Sequence, residues 1–182
     1  MVVLSVDECH LTAIDICGYG WGPQAQRVTV PIANVRDRQT YYGAVDAVSG
    51  QLIVVPFDVG NTDWTLVFLI YLQEQYPGKR LIICWDGASY HRSGAIQEYL
   101  EGINHGYARE QWPLTLIQFA PHAPEQNPIE TVWLQAKTTL RRTAARCQAT
   151  FQSITDAFAD AINGLTCDFA KLRMYLPDLQ LT

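Results

Sequence analysis

"LIICWDGASYHRS" occupies residues 81–93, and its first five residues are all apolar before the chain stops at an acid. Leu81–Trp85 has the length and composition of a buried strand. Asp86 and Gly87 stand at its tip, and His91 follows within the next turn. A carboxylate at the end of a core strand either caps a turn or belongs to a site. The choice depends on whether partners stand elsewhere in the chain.

On the N-terminal side, Pro77-Gly78 ends the element before this strand. That element reads as a helix capped by Asn61 or Thr62, with Trp64, Val67, Phe68, Tyr71 and Leu72 at helical spacing. Upstream lies a hairpin: Thr40–Ala47, a Ser49-Gly50 turn, then Gln51–Phe57. Arg27–Ile32 is expected as a short edge strand and Val2–Val6 as a core strand. Downstream, Ser93–Glu101 reads as a short helix and Leu114–Phe119 as a strand. Long helices follow from about Pro128 to Arg142 and from about Phe151 to Leu165, with a further short helix expected in the tail. A strand meander followed by alternating units implies an α/β fold with a mixed sheet and helices on its faces.

With 182 residues, 48% of them hydrophobic and 17% charged, the chain is expected to form one globular domain, 1–182. No apolar run reaches the roughly 18 residues of a membrane span. The start, "MVVLSVDECHL", has no basic region of the kind that opens a signal peptide. Five scattered cysteines without a CxxC argue against a disulfide framework or structural zinc, and suit a reducing cytoplasm. A net charge of −5 argues mildly against a general nucleic-acid binder. The glycine-rich residues 18–22 lack the spacing of a dinucleotide loop, and Trp21 among them is expected in the core.

Three acids stand out by position. Asp7 lies near the end of the first strand, Asp86 at the end of a later one, and Glu130 in the first turn of the long helix. In α/β sheets, sites form beyond the carboxyl ends of the strands. If the strands bearing Asp7 and Asp86 are parallel neighbours, both emerge at one edge. Three convergent carboxylates repel one another, so the arrangement is costly without a cation. Hard oxygen donors suit Mg²⁺ or Mn²⁺, and a pair of such ions can drive phosphodiester cleavage. Each acid also has a plainer reading. Asn127-Pro128-Ile129-Glu130 fits a capping box, with Asn127 at the N-cap. Asp86 fits a turn, and of Asp7 and Glu8 only one can face a shared site. Asp15, Asp46, Asp58 and Asp63 read as turn or surface residues.

As a set, these blocks resemble the DDE transposases of the Tc/mariner superfamily, in particular the bacterial insertion-sequence enzymes. "LSVDECHL" is similar to the first-acid strand, "IICWDGASYHRS" to the second-acid block, and "FAPHAPEQNPIETVWLQAK" to a proline-rich loop running into the third acid. The blocks cover residues 4–137. The resemblance implies a ribonuclease H-like fold with a mixed five-stranded sheet flanked by helices. It makes Asp7, Asp86 and Glu130 the catalytic acids and metal ligands, holding Mg²⁺ or Mn²⁺ as two ions. Glu8, His91 and Asn127 would stand beside the site, His91 orienting a phosphate or water. The implied function is metal-dependent DNA cleavage and strand transfer in cut-and-paste transposition. The implied partners are transposon-end and target DNA and a second copy of the chain, in the cytoplasm at the bacterial nucleoid. Gly87 departs from the Asn usual in the family, and His122, Glu125 and Gln126 from its usual loop residues. Transposases of this kind carry a helix-turn-helix region before the first acid. Here Asp7 is nearly at the start, as in a split gene, a truncated copy or an excised domain.

The long helix offers a separate check. Lys137 and Arg141 come seven and eleven residues after Glu130, within about 20° of it on the helix wheel. Basic groups on that face, with Arg142 and Arg146 nearby, suit a phosphate backbone, although cations also favour a helix C-terminus without any DNA. Trp133 is expected to pack the helix on the sheet. The alternatives are another ribonuclease H-like nuclease, such as a resolvase or hybrid nuclease, and an inactive DNA-binding remnant.

Overall fold

A computed structural model describes residues 1–18, 24–25, 36–46, 48–120, 126–144, 150–167 and 169. The expected edge strand at 27–32, Trp21, His122, Glu125, Arg146 and the tail helix lie outside these residues.

The sheet begins with β1 (Val2–Thr12). β2 (Arg38–Asp46) and β3 (Leu52–Phe57) form the hairpin. Asp46 closes its turn by accepting from the Val48 N–H and the Ser49 hydroxyl, and Gly50 adopts the positive φ, 76°, that the turn needs. α1 (Thr62–Gln75) starts at Asn61, whose side chain accepts from the Trp64 N–H. Then come β4 (Leu81–Trp85), α2 (Gly94–Asn104), β5 (Leu114–Gln118), α3 (Pro128–Ala144) and α4 (Phe151–Asn163).

The five strands lie in the order β3-β2-β1-β4-β5. The β1–β2 and β2–β3 pairs are antiparallel, whereas β1–β4 and β4–β5 are parallel. This is the mixed sheet expected from the order of elements. Strand alternation sorts β1 between two cores. Leu4 and Val6 pack with Phe68, Leu72 and Ile96 of α1 and α2. Cys9 and Leu11 pack with Ile129, Trp133, Leu140 and Phe158 of α3 and α4.

Two expectations need correcting. β1 runs to Thr12, not Val6, because β2 pairs with it as far as Thr12↔Arg38. Asp7 and Glu8 therefore sit in mid-strand. The parallel partner β4 stops level with them, so the sheet edge they reach is that of β4. In α1, the buried positions are Thr65, Phe68, Leu69 and Leu72, while Val67 is exposed. The helix is apolar nearly all round, so spacing alone left its rotation open. Thr65 settles it by hydrogen bonding to the Asn61 carbonyl and the Tyr42 hydroxyl.

Candidate active site

β1 and β4 pair in parallel through Ser5↔Cys84. Continued two residues, that register sets Asp7 level with Asp86. α3 crosses the same face, packed on β1 and β2, and carries Glu130 in its first turn. Trp133 fixes how closely it lies. Gly43, the partner of Asp7 on β2, has no side chain, and a Cβ there would run into the Trp133 indole and Ile129. The glycine lets the helix sit low enough to bring Glu130 toward the sheet.

Asn127 supplies the second anchor, and here the capping-box expectation fails. Its side-chain amide donates to the Val6 carbonyl at 3.3 Å, and its Oδ1 has no hydrogen-bond partner among the described residues. The side chain braces the start of α3 against β1 instead of capping the helix. Glu130, one turn further on, is exposed.

The electrostatics follow from this placement. The Asp7 carboxyl is pushed from 3.8 up to about 8, first by burial and then by the charges of Glu130, Glu8 and Asp86. The three acids therefore share one electrostatic neighbourhood. Their oxygens nevertheless stand apart: among the described residues, no group of three His, Cys, Asp or Glu side chains is gathered closely enough to hold a metal ion. Asp7 and Glu130 line a cleft of about 440 Å³ with Cys9, His10, Trp133 and Lys137. Asp86 stands outside its walls. A larger hollow of about 720 Å³ between α2 and β5 contains none of the three acids.

Asp86 is turned toward its own loop. Its Oδ1 accepts from the Ala88 N–H at 3.0 Å and lies in charge contact with His91 Nδ1 at 2.9 Å, a ring nitrogen that hydrogen bonds the Asp86 carbonyl at 3.4 Å. His91 is 3% exposed, stacks on Trp85 at 4.1 Å, and presents Nε2 to Glu8 Oε1 at 3.2 Å. Glu8 also accepts from the Tyr90 hydroxyl at 3.0 Å. Burial pulls the His91 pKa down, but the hydrogen bond and charge of Glu8, with the charge of Asp86, outweigh it and hold it above 6.5. Nε2 is engaged by Glu8 and Nδ1 by the carbonyl and carboxylate of Asp86, so His91 is not disposed to orient a phosphate or water as expected. Strand alternation sends Glu8 to the other face of β1 from Asp7, although Glu8 still borders the cleft and its charge adds to the upward push on Asp7. Tyr90 was missed; its position in the turn after Asp86, next to His91, was the available signal.

The basic residues are also committed. Lys137 lines the cleft, but its Nζ pairs with Asp15 at 2.9 Å and donates to the His10 carbonyl. Asp15, read from sequence as a turn or surface acid, is the anchor that holds Lys137. It lies in the short turn Ala13–Ile16, where it also accepts from Thr12. Arg141 donates from Nε to the Asp15 carbonyl, while Arg142 is exposed. Lys137 does share the cleft with Glu130, but its first partner is protein.

A family profile described as DDE superfamily endonuclease matches residues 2–152. No curated protein matches the sequence significantly. Among solved structures, the chain is similar to the Mos1 transposase paired-end complex with left transposon end. The identity is 16% and the TM-score 0.64, over 92% of this chain and 49% of that one. The pre-cleavage Mos1 transpososome gives 15% and 0.60, over 95% and 52%. The catalytic core domain of BIV integrase gives 12% and 0.52, over 96% and 93%. These likenesses show a shared fold, the ribonuclease H-like one. The chain spans about half the length of the Mos1 transposase chains it matches.

Proposed function

This chain belongs to the DDE superfamily of endonucleases, and from that premise we propose that it is the catalytic domain of a Tc/mariner-type transposase, cleaving DNA and transferring the freed strand in cut-and-paste transposition of an insertion sequence. The observation that carries the reading is the state of Asp7. A half-buried carboxyl pushed up to about 8 by desolvation and by neighbouring acids is a poor structural device and a good half of a cation site.

The donor set fits a hard divalent ion. Asp7, Asp86 and Glu130 would hold Mg²⁺ or Mn²⁺, as two ions, with oxygen donors alone. Asp86 and Glu130 are exposed, so both are open to an incoming ion. When bound, such ions supply positive charge that activates an attacking oxygen and stabilises the leaving one in phosphodiester cleavage. The protein contributes position. β1 and β4 hold two acids level on one sheet, and α3, seated low over Gly43 and braced by Asn127, brings the third. The Lys137 ammonium beside the cleft would favour a phosphate backbone there, and Arg142 would extend that contact along α3.

DNA is the partner this chemistry requires, transposon end and target in turn. The naming of the Mos1 complex as paired-end supports two copies of the chain working together. Among the described residues, no helix is long and apolar enough to cross a membrane, and work on DNA would place a bacterial enzyme at the nucleoid.

The test is cleavage by the purified 182-residue chain on transposon-end duplex, hairpin and RNA–DNA hybrid, with Mg²⁺, Mn²⁺ or EDTA. Metal-dependent nicking of DNA duplex is expected, lost in Asp86→Asn and Glu130→Gln. Unchanged metal-dependent cleavage by either variant sinks the assignment of the acids. Cleavage confined to the hybrid sinks transposition.

A further inference from the structure

The two oxygens of Asp86 are treated differently by the fold. Oδ1 accepts from the Ala88 N–H at 3.0 Å and lies in charge contact with His91 Nδ1 at 2.9 Å, while that ring nitrogen hydrogen bonds the Asp86 carbonyl at 3.4 Å. Oδ2 has no hydrogen-bond partner among the described residues, and the side chain is 55% exposed. His91 is itself immobilised. It lies flat on Trp85 with an interplanar angle of 3°, and Tyr90 meets it edge-on. Glu8, only 5% exposed at its side chain, takes the far ring nitrogen on one oxygen and the Tyr90 hydroxyl on the other. Each of these polar groups behind Asp86 is thus paired, in a chain that runs from β1 through the ring to the tip of β4.

We infer that Glu8 and His91 form a positioning pair that fixes Asp86 Oδ1 and leaves Oδ2 as the single oxygen that Asp86 offers a divalent cation. The inference rests on the reading of Asp86 as a metal ligand. A carboxylate free to rotate can turn its oxygens away or chelate with both. One pinned through Oδ1 presents Oδ2 in one direction, and the ordering cost is met when the protein folds. It also assigns Glu8 a task on the face of β1 opposite Asp7: Asp7 serves the site directly, and Glu8 serves it through His91.

The experiment measures Mn²⁺ affinity of the whole chain by titration calorimetry and Mn²⁺ EPR, without DNA. His91→Phe keeps a ring on Trp85 but removes both donors. His91→Asn restores a donor near the Nδ1 position. Glu8→Gln weakens the far anchor while keeping its shape. The expected result is Mn²⁺ binding about tenfold or more weaker in His91→Phe, a smaller loss in Glu8→Gln, and recovery of most of the affinity in His91→Asn. A purely structural role for His91 would lower the melting temperature without that recovery. Wild-type affinity in both His91→Phe and Glu8→Gln, or tighter binding in either, overturns the inference while Asp86→Asn still abolishes binding. If the wild-type chain binds no Mn²⁺, or Asp86→Asn binds normally, the metal-site reading fails and the positioning role falls with it. Should His91→Phe not fold, Glu8→Gln decides.

Discussion

Replacing Asp7 with Asn should make the metal-free protein more stable, and by an amount set by pH. The folded Asp7 carboxyl titrates at about 8 against an ordinary 3.8. Between those values the folded chain binds the proton that the unfolded chain has lost, so metal-free stability falls as pH rises from about 4 to about 8. At 1.36 kcal/mol per unit, the accumulated cost is about 4 kcal/mol at pH 7 and on the order of 5 kcal/mol at pH 8. Asn keeps the shape and carries no charge to desolvate. In EDTA, Asp7→Asn should match wild type near pH 4 and exceed it increasingly toward pH 8. For a chain of this size that is roughly 10–20 °C in melting temperature. Urea denaturation followed by circular dichroism from pH 5 to 8.5 measures it directly. Mg²⁺ should raise wild-type stability most at the alkaline end, where the cluster is charged, and should leave Asp7→Asn nearly unmoved. An Asp7→Asn protein less stable than wild type at pH 8 would refute the reasoning. So would a parallel pH dependence of the two, because the strain attributed to charge at Asp7 would then lie elsewhere.

Two further outcomes follow from the geometry. Gly43→Ala should cost roughly 1–3 kcal/mol by overpacking against Trp133, and cleavage should fall by more than stability predicts as α3 lifts Glu130 away; denaturation and activity on the same preparation separate the two. Asp15 is opposed by burial, but the Lys137 hydrogen bond and charge and the Thr12 N–H outweigh it and hold its carboxyl below 3.8. Its contribution is therefore present above about pH 4 and lost as pH falls through the depressed value. Asp15→Asn should lose roughly 1 kcal/mol at pH 7 and show a shallower acid limb in a denaturation series from pH 5 to 2.

Much of the fold was legible because its signals are local. The apolar run at 81–85, the Asn61 cap, the Ser49-Gly50 turn and the period of α3 each declare themselves within a few residues. The site was legible only in its acids: Asp86 follows a strand end and Glu130 a helix start, both locatable from pattern, while Asp7 lies in mid-strand and reaches the edge only because β4 stops level with it. Their supports were not. Asn127 matches a capping motif letter for letter, yet its amide reaches Val6, which is 121 residues away in sequence. The wheel put Lys137 beside Glu130 correctly, but could not show that Asp15 would hold it. His91 reads as a phosphate- or water-facing residue until Trp85 and Glu8 enclose it.

The amino-acid order alone therefore determined the elements, the mixed sheet and which carboxylates compete for one edge, because backbone hydrogen bonding and hydrophobic periodicity act over short stretches of chain. Tertiary structure decided how far β1 runs past β4, which face of α1 is buried, and what each polar side chain at the site touches. Those outcomes depend on groups distant in sequence meeting at hydrogen-bond range, where a shift of one ångström exchanges one partner for another, and no local pattern encodes that distance.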